Sequence, residues 1–374
     1  MKYLILANLL LIALFSSSQK VNISIFNSSG LKSVIFHINS GGYQLIDDNG
    51  KKYKIGKNEN ITVSVANDRI KATDNPQLTG SYSNLRFIQT TEKSSMKIKP
   101  VFPGLETRRY NGEFIISCKN QILRIINNIA LEDYISGVVE SEGGEKSNIE
   151  YYKTQAIICR TYAIGHTERH REDGFQLCDG VHCQVYLGMS TIRPEIPESV
   201  KATEGLVITD NNKNLITAVF HSNCGGETVN SENVWSHPKP YLVSVQDTFC
   251  LNSPHAKWEQ LISAKKWMQY LSNNGLSCSD SINSYQLDFD QYRRRIYYSV
   301  GYDSIPLKKI RADWDLKSTW FSIIQNDSIL VLKGKGFGHG IGLCQEGAMV
   351  MAERGYKYPD IIKHYYYNVK IIKR

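Results

Sequence analysis

His170, Cys178, His182 and Cys183 bring two imidazoles and two thiols into one short stretch of the chain. That ligand set suits a closed tetrahedral zinc site, and four filled positions leave none for a substrate, so such a metal would be structural. His182 and Cys183 are adjacent, and both reach one ion only from an irregular loop. His170 is preferred over His166 as the fourth ligand, and a Cys178–Cys183 disulfide is the competing reading. A second chemical stretch runs from Gly334 to Ala348, with glycine at 334, 336, 338, 340 and 342. On an extended strand this period of two leaves one face bare, and Lys335, Phe337, His339 and Ile341 share the other. A bare face costs stability unless another backbone or a ligand uses it. The phosphate-loop pattern is absent and no window completes G-x-G-x-x-G, which excludes nucleotide-binding readings.

The elements that must position these residues are readable in outline. Residues 19–105 alternate as strands, as in Val21–Phe26 and Ile61–Val65, with turns at Ser40-Gly-Gly42 and Asp47-Asp-Asn-Gly50. Pro100 and Pro103 mark a boundary near 105. Strands resume at Gly112–Ser117 and Gln121–Ile126, followed by a short amphipathic helix, Leu131–Glu142, that carries Glu140 and Glu142 at its end and stops at Gly143-Gly144. Ser147-Asn148 caps a longer helix to about Gly165, apolar on two stripes yet carrying Lys153, Gln155 and Arg160, which need polar partners if buried. Further on, the pattern predicts a hairpin of Gly205–Thr209 with Leu215–Ser222, a helix at about Lys257–Asn273, strands at 296–300, 320–324 and 329–332, the glycine strand, a helix over Cys344–Arg354 and a last helix opened by Pro359.

The 374 residues carry a net charge of +8 with 41% hydrophobic content, which describes an ordinary globular protein with a mildly basic surface. No run of like charge and no nucleic-acid-binding signature occurs, so an acidic polymer other than nucleic acid is the better partner. Met1–Ser18 has the Lys2, short apolar core and small residues of a cleaved secretory leader, and no second hydrophobic segment follows. The expectation is an exported protein of the periplasm or cell-wall space with no integral membrane segment after cleavage. Eight cysteines are too sparse for a disulfide scaffold. Cys118 and Cys159 sit in apolar patterns, whereas Cys224 and Cys250 are open to pairing.

Three motifs in order, Leu131-Glu-Asp-Tyr-Ile-Ser-Gly-Val-Val-Glu-Ser-Glu142, Gln155-Ala-Ile-Ile-Cys-Arg-Thr-Tyr-Ala163 and Gly334–Ala348, resemble the stage II sporulation protein D / LytB amidase-enhancer family. Cys183-Gln-Val-Tyr186, Phe220-His-Ser-Asn-Cys-Gly-Gly226 and Leu316-Lys-Ser-Thr-Trp-Phe321 fit the same family in the same order. The resemblance covers roughly 106–374 and implies a mixed α+β, β-rich core with a buried central helix, behind a leader at 1–18 and a β-rich accessory region at 19–105. It implies lytic transglycosylase action on the MurNAc–GlcNAc bonds of peptide-stripped peptidoglycan glycan strands. The family's catalytic acid ends the Gly-Val-Val-x-Ser-Glu motif, at Glu142; Glu140 is a rival that shares its face on a strand but not on a helix. A single carboxyl group suffices because the sugar's own 6-hydroxyl closes a 1,6-anhydro ring. Some members bind zinc beside Cys-Gln-Val-Tyr. His339 and Gln345 recur as polar positions, and Cys344 stands where the family usually has serine. Lys153, Gln155, Arg160, Tyr186 and His221 complete the expected sugar-binding set, with interior salt bridges and core packing as the alternatives. The amidase-enhancer branch implies a competing role as a glycan-binding partner of a cell-wall amidase, and a hydrolase with a second carboxylate, Glu227 or Glu346, is a third reading.

Overall fold

The computed structural model describes residues 19–143, 147–276 and 287–374, so the expected leader, Gly144 and Cys278 lie outside the described residues. The chain is mixed α+β and β-rich, as the sequence implies. Contacts divide it into two units, one of residues up to Thr107 together with Asn111–Leu131, the other of Arg108–Tyr110 with Glu132–Arg374. The strands at 113–130, read from sequence with the C-terminal region, lie in the first unit because they pair with strands there.

In the first unit the strands Lys20–Ile25, Ile122–Ala130, Glu113–Lys119, Asn84–Gln89, Tyr43–Asp47 and Lys52–Ile55 pair antiparallel in that order. Ser95–Phe102, Ser33–Ser40, Asn60–Ala66, Arg69–Thr73 and Ser81–Tyr82 make a second antiparallel set. Burial alternates along Ser33–Ser40, so Val34, Phe36 and Ile38 form a buried row. Phe36 lies 5.0 Å from Phe87 of the other sheet, which joins the two inner faces into one apolar core.

The second unit holds seven helices among the described residues: α1 Leu131–Glu142, α2 Ile149–Gly165, α3 Glu195–Ala202, α4 Ala264–Asn273, α5 Leu307–Asp313, α6 Gln345–Glu353 and α7 Tyr358–Tyr365. None is long and apolar enough to cross a membrane. α1 buries Tyr134, Ile135, Val138 and Val139 on one side and ends where the Gly143 N–H donates to the Val139 carbonyl at 2.8 Å. Asn148 caps α2 by accepting the Glu150 N–H at 2.9 Å, and α2 is buried almost throughout. The expected hairpin after α3 shrinks to one bridge between Thr209 and Leu215, because Leu206–Thr209 pairs instead with Lys370–Lys373.

Two further expectations are corrected. The segment read as a helix from Lys257 is a strand over Lys257–Ser263, paired with Ile329–Lys335, and the helix begins only at Ala264 behind its Ser263 cap. The strand's alternating burial rests on a core around Trp267, Leu271, Leu330 and Leu332, so tertiary packing decides the local form. The glycine strand also ends early, at Lys335. Gly336, Gly338, Gly340 and Gly342 all adopt positive φ, between 71° and 114°, which breaks the period-two geometry. Their bare sides are filled by protein: a β-carbon on Gly336 would lie 2.6 Å from the Asn223 carbonyl, and one on Gly342 would overlap the Val219 carbonyl. The segment is therefore a tight backbone joint, locked by reciprocal hydrogen bonds between Asn223 and Phe337 at 2.8 and 3.0 Å. Gly342→Ala is expected to destabilise the protein by more than about 1 kcal/mol, whereas Gly165→Ala, at an open helical position, stays within about 1 kcal/mol of wild type; thermal unfolding of the two variants checks this.

Candidate active site

Glu142 is the last residue of α1, half-buried, with Oε1 accepting the Val185 N–H at 2.7 Å. Burial raises its pKa above the ordinary glutamate value, and the Val185 hydrogen bond opposes only part of that shift. Its main-chain carbonyl accepts the Gln345 amide at 2.9 Å, which fixes the end of α1 to the start of α6. The approach of Val185 depends on Gly137: a β-carbon there would sit 2.5 Å from the Tyr186 ring. Glu140, the rival acid, projects elsewhere because the segment is a helix. Its carboxylate accepts hydrogen bonds from Ser190 Oγ at 2.8 Å, from the Thr191 and Ile192 N–H groups at 3.0 Å each and from the Arg193 N–H at 3.3 Å. Glu140 is committed to that turn.

Glu142 opens onto a cleft of about 930 Å³ within the second unit. His221, His339 and Gln345 line the same cleft, as do His182 and Cys183 at one edge. Ile341 orients both histidines: its carbonyl lies 3.1 Å from His221 Nδ1, and its N–H donates to His339 Nδ1 at 3.0 Å. These bonds put the proton on Nδ1 of His221 and leave Nδ1 of His339 as an acceptor. Burial is the main reason both pKa values fall, His339 to about 4 and His221 well below its ordinary value, so both rings are neutral at pH 7. His221 Nε2 is buried with no hydrogen-bond partner among the described residues, a bare acceptor beside the cleft.

The cysteine–histidine stretch folds into a compact donor cluster. Ligand atoms of His170, Cys178, His182 and Cys183 all lie within 4.8 Å of one another. Cys183 Sγ is 3.5 Å from His170 Nε2 and 3.7 Å from His182 Nδ1, and Cys178 Sγ is 3.9 Å from His182 Nδ1. A tetrahedral zinc with ordinary Zn–S and Zn–N bonds separates its ligands by roughly 3.5–3.8 Å, so the donor set fits. His170 Nδ1 faces Asp173 Oδ2 at 3.5 Å, the kind of outer carboxylate that orients a ligating imidazole. His166 stands apart from this set, its ring stacked on Tyr162 and its Nδ1 at 2.8 Å from the Tyr162 carbonyl.

Four residues expected at the sugar-binding surface sit elsewhere. Arg160 is fully buried and donates to Glu132 at 2.8 and 2.5 Å, to the Leu206 carbonyl at 3.1 Å and to the Val200 carbonyl at 3.3 Å. Lys153 pairs with Glu150 at 2.9 Å, and Glu150 in turn accepts the Tyr358 N–H at 3.0 Å. Gln155 is enclosed beside Cys159, and Tyr186 is a core ring 5.0 Å from Tyr134 and 5.5 Å from Tyr110. Arg160 obeys the rule that buried polar groups find internal partners, whereas Gln155 Oε1 is buried with no hydrogen-bond partner among the described residues. The sequence reading missed Arg169, Lys239, Lys308, Arg311 and Trp235, which also line the cleft. They are scattered over loops and α5 with no shared period, so only the fold assembles them.

The sequence pattern described as Stage II sporulation protein matches residues 119–209, the span that carries α1, α2 and the cysteine–histidine loop. Stage II sporulation protein D of Bacillus amyloliquefaciens is 31% identical over 261 residues, covering 66% of this chain and 75% of that protein. The protein of the same name from Bacillus subtilis (strain 168) is 28% identical over 297 residues, 75% of this chain and 85% of that one. The Amidase enhancer of Bacillus subtilis (strain 168) is 29% identical over 287 residues, 62% of this chain but only 39% of the enhancer's length. The chain belongs to the stage II sporulation protein D and amidase-enhancer family.

Because Arg160 joins α1, α2, α3 and the Leu206 strand, Arg160→Ala should cost about 3 kcal/mol or more by leaving Glu132 and two carbonyls without their donor. Chemical denaturation measures that loss.

Proposed function

We propose that this protein acts on the cell wall as a lytic transglycosylase of peptidoglycan glycan strands, with Glu142 as its single acid and base. The observation that carries this reading is that Glu142 is the one carboxylate among the described residues lining the cleft. Hydrolysis of a glycosidic bond ordinarily uses two carboxylates, whereas internal attack by a sugar hydroxyl needs one. The rivals for a second carboxylate are occupied elsewhere: Glu346 accepts from Asn223 Nδ2 at 2.6 Å and lies 2.6 Å from His255 Nδ1, and Glu227 accepts from Ser244 at 2.9 Å.

In the proposed mechanism Glu142, its pKa raised by burial, gives its proton to the bridging oxygen as the C–O bond breaks. The resulting carboxylate then takes the proton of the 6-hydroxyl as that oxygen closes the 1,6-anhydro ring, so the acid is restored. The Val185 N–H steadies the carboxylate between the two steps. His221 lines the cleft as a neutral imidazole. Arg169, Lys239, Lys308 and Arg311 give the cleft a positive lining that suits the lactyl carboxylates of strands stripped of peptide. Such a substrate lies outside the cytoplasmic membrane, in accord with the leader read at Met1–Ser18.

His170, Cys178, His182 and Cys183 would hold a structural zinc. Bound there, the metal would clamp the loop that delivers Val185 to Glu142. The second reading, a glycan-binding amidase enhancer, draws on the name of one relative and keeps the same cleft without turnover.

Peptide-free glycan strands incubated with the protein should yield 1,6-anhydro ends, and Glu142→Gln should lower that activity by at least about 100-fold. Undiminished activity in that variant would remove Glu142 from the mechanism, and no anhydro product from wild type would favour the enhancer. The protonated form is the active acid and burial raises its pKa, so kcat/KM should fall as pH rises through a value above the ordinary glutamate range. Glu142 also couples pH to folding: the neutral carboxyl's contribution to stability is complete below the unfolded pKa and is lost as pH climbs through the raised folded one. Cys178→Ser should lower zinc content by one equivalent per chain, measured by elemental analysis, and should reduce kcat through the loosened Val185 contact.

A further inference from the structure

A second cluster of donors lies in the second unit, outside the cleft lining. Cys224, Asp247, Cys250 and Cys344 are wholly buried, and one ligand atom from each lies within 4.8 Å of all the others. Cys224 Sγ is 3.4 Å from Cys250 Sγ and 3.3 Å from Asp247 Oδ2. We propose that these four residues form a second structural metal site, a Cys₃Asp tetrahedron for zinc or a similarly thiophilic divalent ion.

Three observations support a cation over simple packing. Asp247 is a wholly buried carboxylate with no ion-pair partner among the described residues, and an unpaired buried charge is costly. The surrounding donors point at the ligand atoms as an outer shell does. The Cys224 and Gly347 N–H groups donate to Cys344 Sγ at 3.3 and 3.4 Å, the Phe249 N–H to Asp247 Oδ1 at 3.0 Å, and the Tyr365 hydroxyl to Asp247 Oδ2 at 2.9 Å. The ligand spacing also matches what a tetrahedral thiolate site requires. A Cys224–Cys250 disulfide would account for two of the four residues and leave a buried carboxylate and a third thiol beside it.

The four ligands come from three separate segments: the loop that abuts the glycine joint, the turn at 247–250, and the residue that opens α6. Cys344 immediately precedes Gln345, whose amide holds the Glu142 carbonyl. The proposed ion thus pins the α6 side of the cleft. Four protein ligands fill the tetrahedron, so its role is positional. This inference stands whether the cleft cuts glycan or only binds it.

Elemental analysis of the full-length chain, purified without chelator, should find roughly two equivalents of zinc. Cys344→Ser should lose one of them while keeping the α6 cap, since serine also accepts at that position, and Cys178→Ser with Cys344→Ser should lose both. Asp247→Asn, close to isosteric, gives the same readout should the serine variant fail to fold. Cobalt-loaded Cys178→Ser, which retains only the second site, should show thiolate-to-metal charge-transfer absorption that disappears on adding Cys344→Ser. Equal metal content in wild type, Cys344→Ser and Asp247→Asn would overturn the proposal. So would an intact mass and peptide map showing Cys224 bonded to Cys250 in the native protein.

Discussion

A carboxyl group is made a weaker acid by keeping it from water without giving it a cation, and the Glu142 end of α1 does this with a single backbone donor, Val185, that opposes only part of the shift. The rest of the second unit depends on keeping that contact. Arg160 fixes α1 to α2, Gly137 lets the 185–188 segment lie against α1, and the cysteine–histidine loop sets where Val185 emerges. Gln345 closes the arrangement from the far side. Removing any one of these leaves Glu142 in place along the chain but not in its environment, which is what determines its acidity.

The glycine segment shows how a pattern can be noticed for the right reason and interpreted in the wrong geometry. Bare positions do mean close approach, but the approaching groups are the protein's own backbones at Val219 and Asn223. Of the residues between the glycines, Phe337 and His339 line the cleft. His339 and His221 share Ile341 as their common anchor, so the joint sets their tautomers as well as their positions. Cys344, at the position where the family usually has serine, accepts the Gly347 N–H and caps α6, a function sulfur retains.

Local signals were legible where the physics is local. The caps at Asn148, the stop at Gly143, the α2 stripes and the compact His–Cys spacing all translate directly into observed geometry. Glu142 and Glu140 could be separated once the segment was a helix. What sequence could not show was set by distant partners. Lys257–Ser263 has helix-compatible residues and becomes a strand because Ile329–Lys335 pairs with it. Arg160 looks like a ligand for an acidic sugar until Glu132, in a different helix, is found beside it. The basic residues of the cleft come from separate loops and from α5, and no window of sequence contains all of them.

The hydrogen bond between Gln345 and the Glu142 carbonyl joins residues 203 apart in the chain. A polypeptide that emerges amino end first therefore exposes Glu142 long before the segment that completes its surroundings exists. Through that interval the carboxyl is solvated and ordinarily acidic, and the cleft has only one of its walls. The site is thus timed by synthesis: it comes into being late, through contacts of long sequence separation that form slowly. A nascent chain carries Glu142 without the surroundings that raise its pKa.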